Sequence, residues 1–340
     1  MEKDRIRNVI GKIDTARILV VGDLMLDRFI RGNLARISDE APAPVLELTS
    51  EVVRPGGAAN AICNIRALGG RVHAVGVVGN DPDGKCLLEI LSRAGADTSG
   101  IVTDRERRTS QKTRIIAEKF QQNLFQIDRS NPAEMSTDTT ERLLANIRSA
   151  IDAVDVVLVS DYDEGVITTA LIESLIPLAK ARGKIIVADS RIDHFMEYRD
   201  VDIVKVNHQV AGDITGIGQI NETSIRNIGQ WMLTQLESRY VLITQGKDGL
   251  TLFNRNGQVH HVPSIAKEVK ETAGVADTVA AVLALSLAVD RDGMLEAAVL
   301  ANTTAGIKVG KLGEATVNKD ELVATLDSLD SAALVRTVSG

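Results

Sequence analysis

Continuous apolar runs alternate with amphipathic stretches along most of the chain. Arg17–Gly22 is the first, a β-branched run ending in glycine. A run that is apolar throughout suits a parallel strand buried on both faces. Val72–Val78, Val154–Ser160, Lys184–Asp189, Ile203–Val206 and Tyr240–Thr244 repeat the pattern. Between them, Gly57–Leu68, Asp83–Ala94, Thr137–Ala150, Thr169–Arg182 and Ser224–Glu237 carry helical spacing. The alternation predicts an α/β fold, a mostly parallel sheet with helices on both faces. Right-handed crossovers then line the strand C-termini along one rim, where ligands bind in such sheets. Two segments break the rhythm. Arg28–Arg54 and Arg107–Arg129 read as short alternating strands around turns such as Pro42-Ala43-Pro44 and Phe120–Asn123. They predict a small antiparallel β lid, within about 28–54 and 107–130, outside the main sheet. No repeat or polar linker divides the 340 residues, so a single domain over 1–340 is expected.

Composition narrows the class. Apolar residues make up 44% and charged residues 25%, an ordinary globular balance. With 46 acidic and 39 basic residues the net charge is -7, which argues against a nucleic-acid or anionic-membrane partner. A locally basic pocket for a small anion stays open. Cys63 and Cys86 are too few for a disulfide framework and read as buried free thiols. Met1–Lys12 is charged and lacks the apolar core of a secretory signal, and Val275–Val289 is too short to span a bilayer. A cytoplasmic protein is expected. The five histidines have no metal-ligand spacing, so no metal-ligating side chain is predicted. Trp231 falls on an apolar helix stripe and reads as core.

Candidate chemistry concentrates at a few turns. In Glu271-Thr-Ala-Gly274-Val-Ala276-Asp277-Thr278, small residues open an apolar helix. Backbone N–H groups and the helix dipole there suit a transferring phosphoryl group, and Asp277 suits a base. The competing reading makes Asp277 only the helix N-cap. Arg54-Pro55-Gly56-Gly57-Ala58-Ala59-Asn60 lets a ligand approach the backbone, with Asn60 offering a donor and an acceptor, or else it is a turn with Asn60 in solvent. Asp23 and Asp27, after the first strand, either bind sugar hydroxyls or, for Asp23, cap a turn. Thr244-Gln-Gly246-Lys-Asp-Gly249 is a strand-to-hairpin turn near candidate phosphates or a plain turn. Asn302–Gly313 has small residues at near-helical spacing, facing either an adenine or a neighbouring helix.

In order, these segments resemble the ribokinase-like (PfkB) sugar kinases, and within them the D-glycero-β-D-manno-heptose 7-phosphate kinases. The resemblance covers about Arg17 to Thr325. It rests on Val20-Val-Gly-Asp-Leu-Met-Leu-Asp27-Arg28, Arg36–Val45, Arg54–Asn60, Ser160-Asp161-Tyr162 and Gly310-Lys-Leu-Gly313. It implies an α/β core with a β lid, ATP and Mg²⁺, and phosphoryl transfer to the anomeric hydroxyl of heptose 7-phosphate on the way to ADP-heptose. It implies Asp277 as base and the backbone from Gly274 through Ala276 to Asp277 as anion hole. By the same resemblance Asp27, Gly56, Gly57 and Asn60 hold the sugar. Asn207 lies near metal and phosphates, Thr244, Gly246 and Gly249 along the nucleotide, and Asn302 at adenine. Some such proteins add a nucleotidyltransferase domain; no H-x-G-H is present here, so the kinase alone is expected.

Several positions depart from the family pattern. The family's G-A-G-D reads Gly274-Val-Ala276-Asp277, and its N-x-x-E reads Asn207-His-Gln-Val210. Glu271 replaces an aspartate, Glu164 stands where a lysine is expected and Gln126 where an arginine is, and Asp189-Ser-Arg191-Ile192 replaces D-P-K-G, so cations expected near a sugar phosphate are lost. If position 276 needs a positive φ, alanine costs on the order of 1 kcal/mol there. Two readings follow: an active sugar kinase, or an impaired pseudokinase that binds sugar or nucleotide and acts through a partner. Exposed lid edges predict a homodimer that pairs lid to lid.

Overall fold

The structure, a computed structural model, describes residues 3–120, 122–131, 135–218, 220–311, 316–330 and 334–337. Helix α1 (Lys3–Lys12) precedes β1 (Arg17–Gly22). A hairpin of β2 (Leu24–Ile37) and β3 (Pro44–Gly57) leads into α2 (Ala58–Ala67), β4 (Arg71–Gly79), α3 (Pro82–Arg93) and β5 (Asp97–Asp104). A second hairpin, β6 (Ser110–Ala117) and β7 (Gln122–Arg129), is followed by α4 (Thr137–Ala150), β8 (Val156–Ser160), α5 (Thr169–Ala181) and β9 (Ile185–Asp189). Then come β10 (Ile203–Asn207), α6 (His208–Thr215), α7 (Glu222–Leu236), β11 (Tyr240–Thr244), β12 (Leu250–Asn254) and β13 (Val259–Val262). Helices α8 (Val275–Val289), α9 (Met294–Val309) and α10 (Lys319–Ser328) and the short β14 (Arg336–Thr337) complete the order.

Ten strands form one sheet, in the order β14-β13-β12-β11-β10-β9-β8-β1-β4-β5. From β11 to β5 every neighbour is parallel. Strands β12, β13 and β14 add antiparallel at the other edge. Alternate residues feed two cores. Ile18, Val20, Val156 and Leu158 pack under α2, α8 and α9, while Leu19, Val21, Val157 and Val159 pack under α4, α5 and α7. Helix α8 is buried from Asp277 to Leu287, as its all-round apolar sequence requires. The chain builds outward from β1 in both directions, so β1 and β8 flank the switch in strand order, the place where ligands bind in sheets of this kind.

The second sheet has the order β3-β2-β6-β7. Each hairpin is antiparallel as expected, but β2 and β6 pair in parallel, which corrects the all-antiparallel lid. The reason lies in the main sheet: β2 follows β1 directly and β6 follows β5, and those two strands run the same way. The lid also starts earlier than expected, at Leu24, and runs to Gly57. The charged N-terminus forms a helix that buries Ile6, Val9 and Ile10. Near the C-terminus, Arg336 and Thr337 pair with His261 and His260. Trp231 is exposed rather than core; it sits beside the Ile228–Met232 stripe of α7 and stacks on Phe195. Cys63 and Cys86 form no disulfide among the described residues and are half-buried rather than buried. Leu312 and Gly313 of the small-residue segment lie outside the described residues.

Candidate active site

The C-terminal ends of β1, β8, β9 and β10 share one rim, and α8 points its N-terminus at it. Gly274 is the helix N-cap, with φ 68°. A β-carbon there would collide with the Asn60 side-chain amide and lie 3.1 Å from Lys308 Nζ, so the left-handed turn and the close approach both demand glycine. Asp277 therefore sits inside the first turn rather than at the cap. It is 3% exposed. Asn60 Nδ2 donates to its Oδ2 at 2.6 Å, and the Tyr162 hydroxyl donates to Oδ1. Asn60 is held in turn by Asn64, whose Nδ2 donates to Asn60 Oδ1 at 2.9 Å, and Thr278 donates to Asn64 at 3.1 Å. Each oxygen of Asp277 keeps a second lone pair, so the carboxylate can still accept a proton from a bound hydroxyl.

Tyr162 belongs to the loop after β8, which Asp23 fastens. The Asp23 carboxylate, 1% exposed, accepts from the backbone N–H groups of Tyr162 at 2.7 Å and Val166 at 3.0 Å. Burial pushes its carboxyl up to about 7 from 3.8. Burial, and then the charge of Asp277, push the Tyr162 phenol well above its ordinary value, so it stays a donor. Arg191 lies over the Tyr162 ring at 4.7 Å. Next to this group, Asp161 and Asp163 face His194, whose imidazole is pushed up to about 9 chiefly by its hydrogen bond to Asp161.

A carbohydrate-kinase model, "pfkB family carbohydrate kinase", matches residues 15–321. The chain belongs to the pfkB family of carbohydrate kinases. It is 38% identical over 96% of its length to Bifunctional protein HldE of Geobacter sulfurreducens, and 36% identical over 100% to the protein of that name from Geobacter metallireducens. It spans 66% and 69% of those proteins, about two thirds. Its fold is that of Arabidopsis thaliana ribokinase solved with ribose and ATP (TM-score 0.73, 19% identity, covering 92% of this chain and 98% of that one). Phosphofructokinase-2 from Escherichia coli shares it too (TM-score 0.76, 16% identity, covering 92% and 98%).

Within this pfkB chain the residues singled out from sequence separate into two groups. Asp277, Asn60 and Gly274 meet at one point. Asn60 is buried rather than in solvent, and its amide is aimed at the carboxylate and at the Gly274 carbonyl. Asp27 is buried and accepts from Arg114 at 2.9 Å, with Gly56 so close that a side chain there would press on the Asp27 carboxylate. Gly57, with φ 54°, is the N-cap of α2. Asp23 faces backbone amides, which is the turn-capping reading.

On the other side of the rim the side chains serve the scaffold. Asn207 Oδ1 caps α6 by accepting from Val210 N at 2.8 Å, and Val210 is packed in the core. Thr244 lies half-buried at the end of β11. Gly246 and Gly249 shape the β11–β12 hairpin with positive φ. Asn302 Nδ2 donates to the Pro263 carbonyl at 2.8 Å. The strain expected at Ala276 is absent: it lies within α8, outside the positive-φ residues. Glu164, a misplaced charge by sequence, is neutralised by Lys112 at 3.3 Å and accepts from Ser110 and Ser130. Glu271 pairs with Arg31 of the lid at 3.9 Å. Tyr162 entered the sequence reading only as part of a motif; nothing in its spacing from Asp277 reveals that they touch.

The N-terminus of α8 and the buried ammonium of Lys308 beside Gly274 fit the phosphates of ATP. For Mg²⁺ the fit is narrower, because Val210 offers no ligand; such an ion is held mainly by phosphates and water.

Proposed function

We propose that this chain is an ATP-dependent kinase that phosphorylates the anomeric hydroxyl of heptose 7-phosphate, toward ADP-heptose. The observation that carries the reading is Asp277, buried at the entrance of α8 and held by Asn60 and Tyr162. Family membership and the HldE relatives support the substrate class. Asp277 accepts the proton of the attacking hydroxyl as its oxygen bonds to the transferring phosphorus and the phosphorus–oxygen bond to ADP, the leaving group, breaks. Asn60 and Tyr162 fix both of its oxygens, so the base needs no reorientation at the moment of attack. The backbone N–H groups from Gly274 to Asp277, the α8 dipole and Lys308 hold the negative charge that develops on the transferring group. When bound, Mg·ATP supplies the phosphoryl group and a divalent charge on its phosphates. Asp27, Gly56 and Gly57 border the sugar, and Thr244, Gly246, Gly249 and Asn302 border the nucleotide.

The lid carries exposed Leu34, Ile37, Leu48, Phe125 and Ile127, apolar surface that supports a homodimer through the lid sheets. Among the described residues no helix is long and apolar enough to cross a membrane; use of ATP places the reaction in the cytoplasm.

Calorimetry with Mg·ATP and, separately, with heptose 7-phosphate, followed by an ADP-release assay, tests the reading. Binding of both with turnover supports the kinase. Sugar binding without turnover supports the second reading, a pseudokinase, which the buried Val210 at the metal-side position favours.

A further inference from the structure

The loops after β8 and β9 bring together three groups for which phosphoryl transfer has no use. Asp161 and Asp163 flank Tyr162, and His194 arrives from the next loop. Asp161 Oδ2, Asp163 Oδ1 and His194 Nδ1 all lie within 4.8 Å of one another. The imidazole nitrogen stands 3.1 Å from the first oxygen and 3.8 Å from the second. We propose that Asp161, Asp163 and His194 form a binding site for a divalent transition-metal ion of the zinc class, separate from the magnesium that accompanies a nucleotide.

Four observations support it. Bonds of about 2.1 Å to zinc place neighbouring ligands of a tetrahedral site about 3.4 Å apart, and the two imidazole–carboxylate separations straddle that value. The mixed donor set of two carboxylate oxygens and one imidazole nitrogen suits zinc or cobalt rather than calcium or magnesium, which take oxygen. Asp161 is already oriented by outer contacts: its Oδ2 accepts from the Tyr198 hydroxyl at 2.8 Å, and its Oδ1 from the Asp163 N–H at 3.1 Å. Finally, the site has acceptor capacity left over. Asp163 Oδ1 and, nearby, Glu197 Oε2 are buried oxygens with no hydrogen bond among the described residues.

The charges around the imidazole agree. Asp161, Asp163 and Glu197 act on His194, and Asp193 adds to the field at Asp163; Arg191 is the opposing cation there. Without an ion, the Nδ1 proton of an imidazolium is directed at the Asp161 carboxylate, 3.1 Å away. The metal replaces it, and the proton leaves to solvent. Since both carboxylates adjoin Tyr162 in sequence, the ion would pin the loop that presents the phenol to Asp277.

The test uses the whole chain, dialysed against EDTA and free of nucleotide and sugar, titrated with Co²⁺ alone. One equivalent should bind with the visible absorption of an oxygen- and nitrogen-liganded ion, be displaced by Zn²⁺, and raise the melting temperature. Asp163→Asn, which suits the left-handed backbone of that residue (φ 57°), and His194→Gln should each weaken binding about tenfold or more. Asp277→Asn should leave it unchanged. Absence of saturable binding, binding as tight in both site variants, or a thiolate charge-transfer band from Cys63 or Cys86 would each overturn the site. No readout involves turnover, so failure here and failure of the kinase reading are distinguishable.

Discussion

The two sides of the rim use similar residues to different ends. Around α8, an asparagine, a tyrosine and a left-handed glycine converge on one carboxylate. Around β10 and β11, an asparagine caps a helix, two glycines turn a hairpin and a valine fills the core. The first arrangement leaves a carboxylate at the entrance of α8. The second leaves backbone and shape. A kinase tolerates that asymmetry because its nucleotide brings its own charge and metal, whereas a proton acceptor has to come from the chain.

The contrast breaks most sharply at Asp277. Asp277→Asn should lower ADP release by about 10²–10⁴-fold while heptose 7-phosphate binding by calorimetry persists. Near-normal turnover would remove the base. The next effect is on stability. Asp23 holds a proton in the folded state up to about pH 7 but loses it near 3.8 when unfolded. Between those values the unfolded chain binds fewer protons, so the Asp23 contribution to folding stability should fall as pH rises, by on the order of a few kcal/mol, and level off above 7, where the raised His194 continues the decline toward pH 9. Urea unfolding at pH 5 and pH 8 reads this, and Asp23→Asn should flatten it.

On the other side, Val210→Glu should not restore a metal ligand. It should destabilise the fold by roughly 2–4 kcal/mol, because position 210 is 6% exposed and packed among apolar side chains. A stable variant with faster turnover would show that the phosphate side is a damaged site rather than scaffold. Tyr162→Phe removes one donor to the carboxylate and should cut kcat about tenfold with KM nearly constant. A rise in KM alone would assign Tyr162 to sugar binding. The smallest effect belongs to Ala276→Gly. With no backbone strain to relieve, folding stability should change by about 1 kcal/mol or less, in the destabilising direction, as read by urea unfolding. Any gain in rate would then report only the space freed by the methyl.

Much of the sheet is legible in the sequence because apolar runs identify doubly buried strands, and α4 matches its expected span from Thr137 to Ala150. The edge strands β12 and β13 and the short helix α6 are not, since their signals are brief and half polar. The role of Asn60 is half legible: its motif marks a site, but only the fold shows its amide turned toward Asp277 instead of outward. His194 and Asp161 are separated in sequence and meet because β8 and β9 are adjacent, which no spacing rule detects. Ala276 misleads for a local reason, as the left-handed residue of the turn is Gly274, two positions earlier.

The burial of α8 also bears on how the chain is made. Synthesised from its N-terminus, the chain has β1, β4, β5 and β8 complete well before residues 275–289 exist. Until then, the sheet face carrying Ile18, Val20 and Leu158 lacks its central cover. At a synthesis rate of roughly 5–20 residues per second, that interval is long enough for the bare face to meet a chaperone or another nascent chain. The helix that presents the Asp277 carboxylate therefore also closes over the uncovered centre of that face.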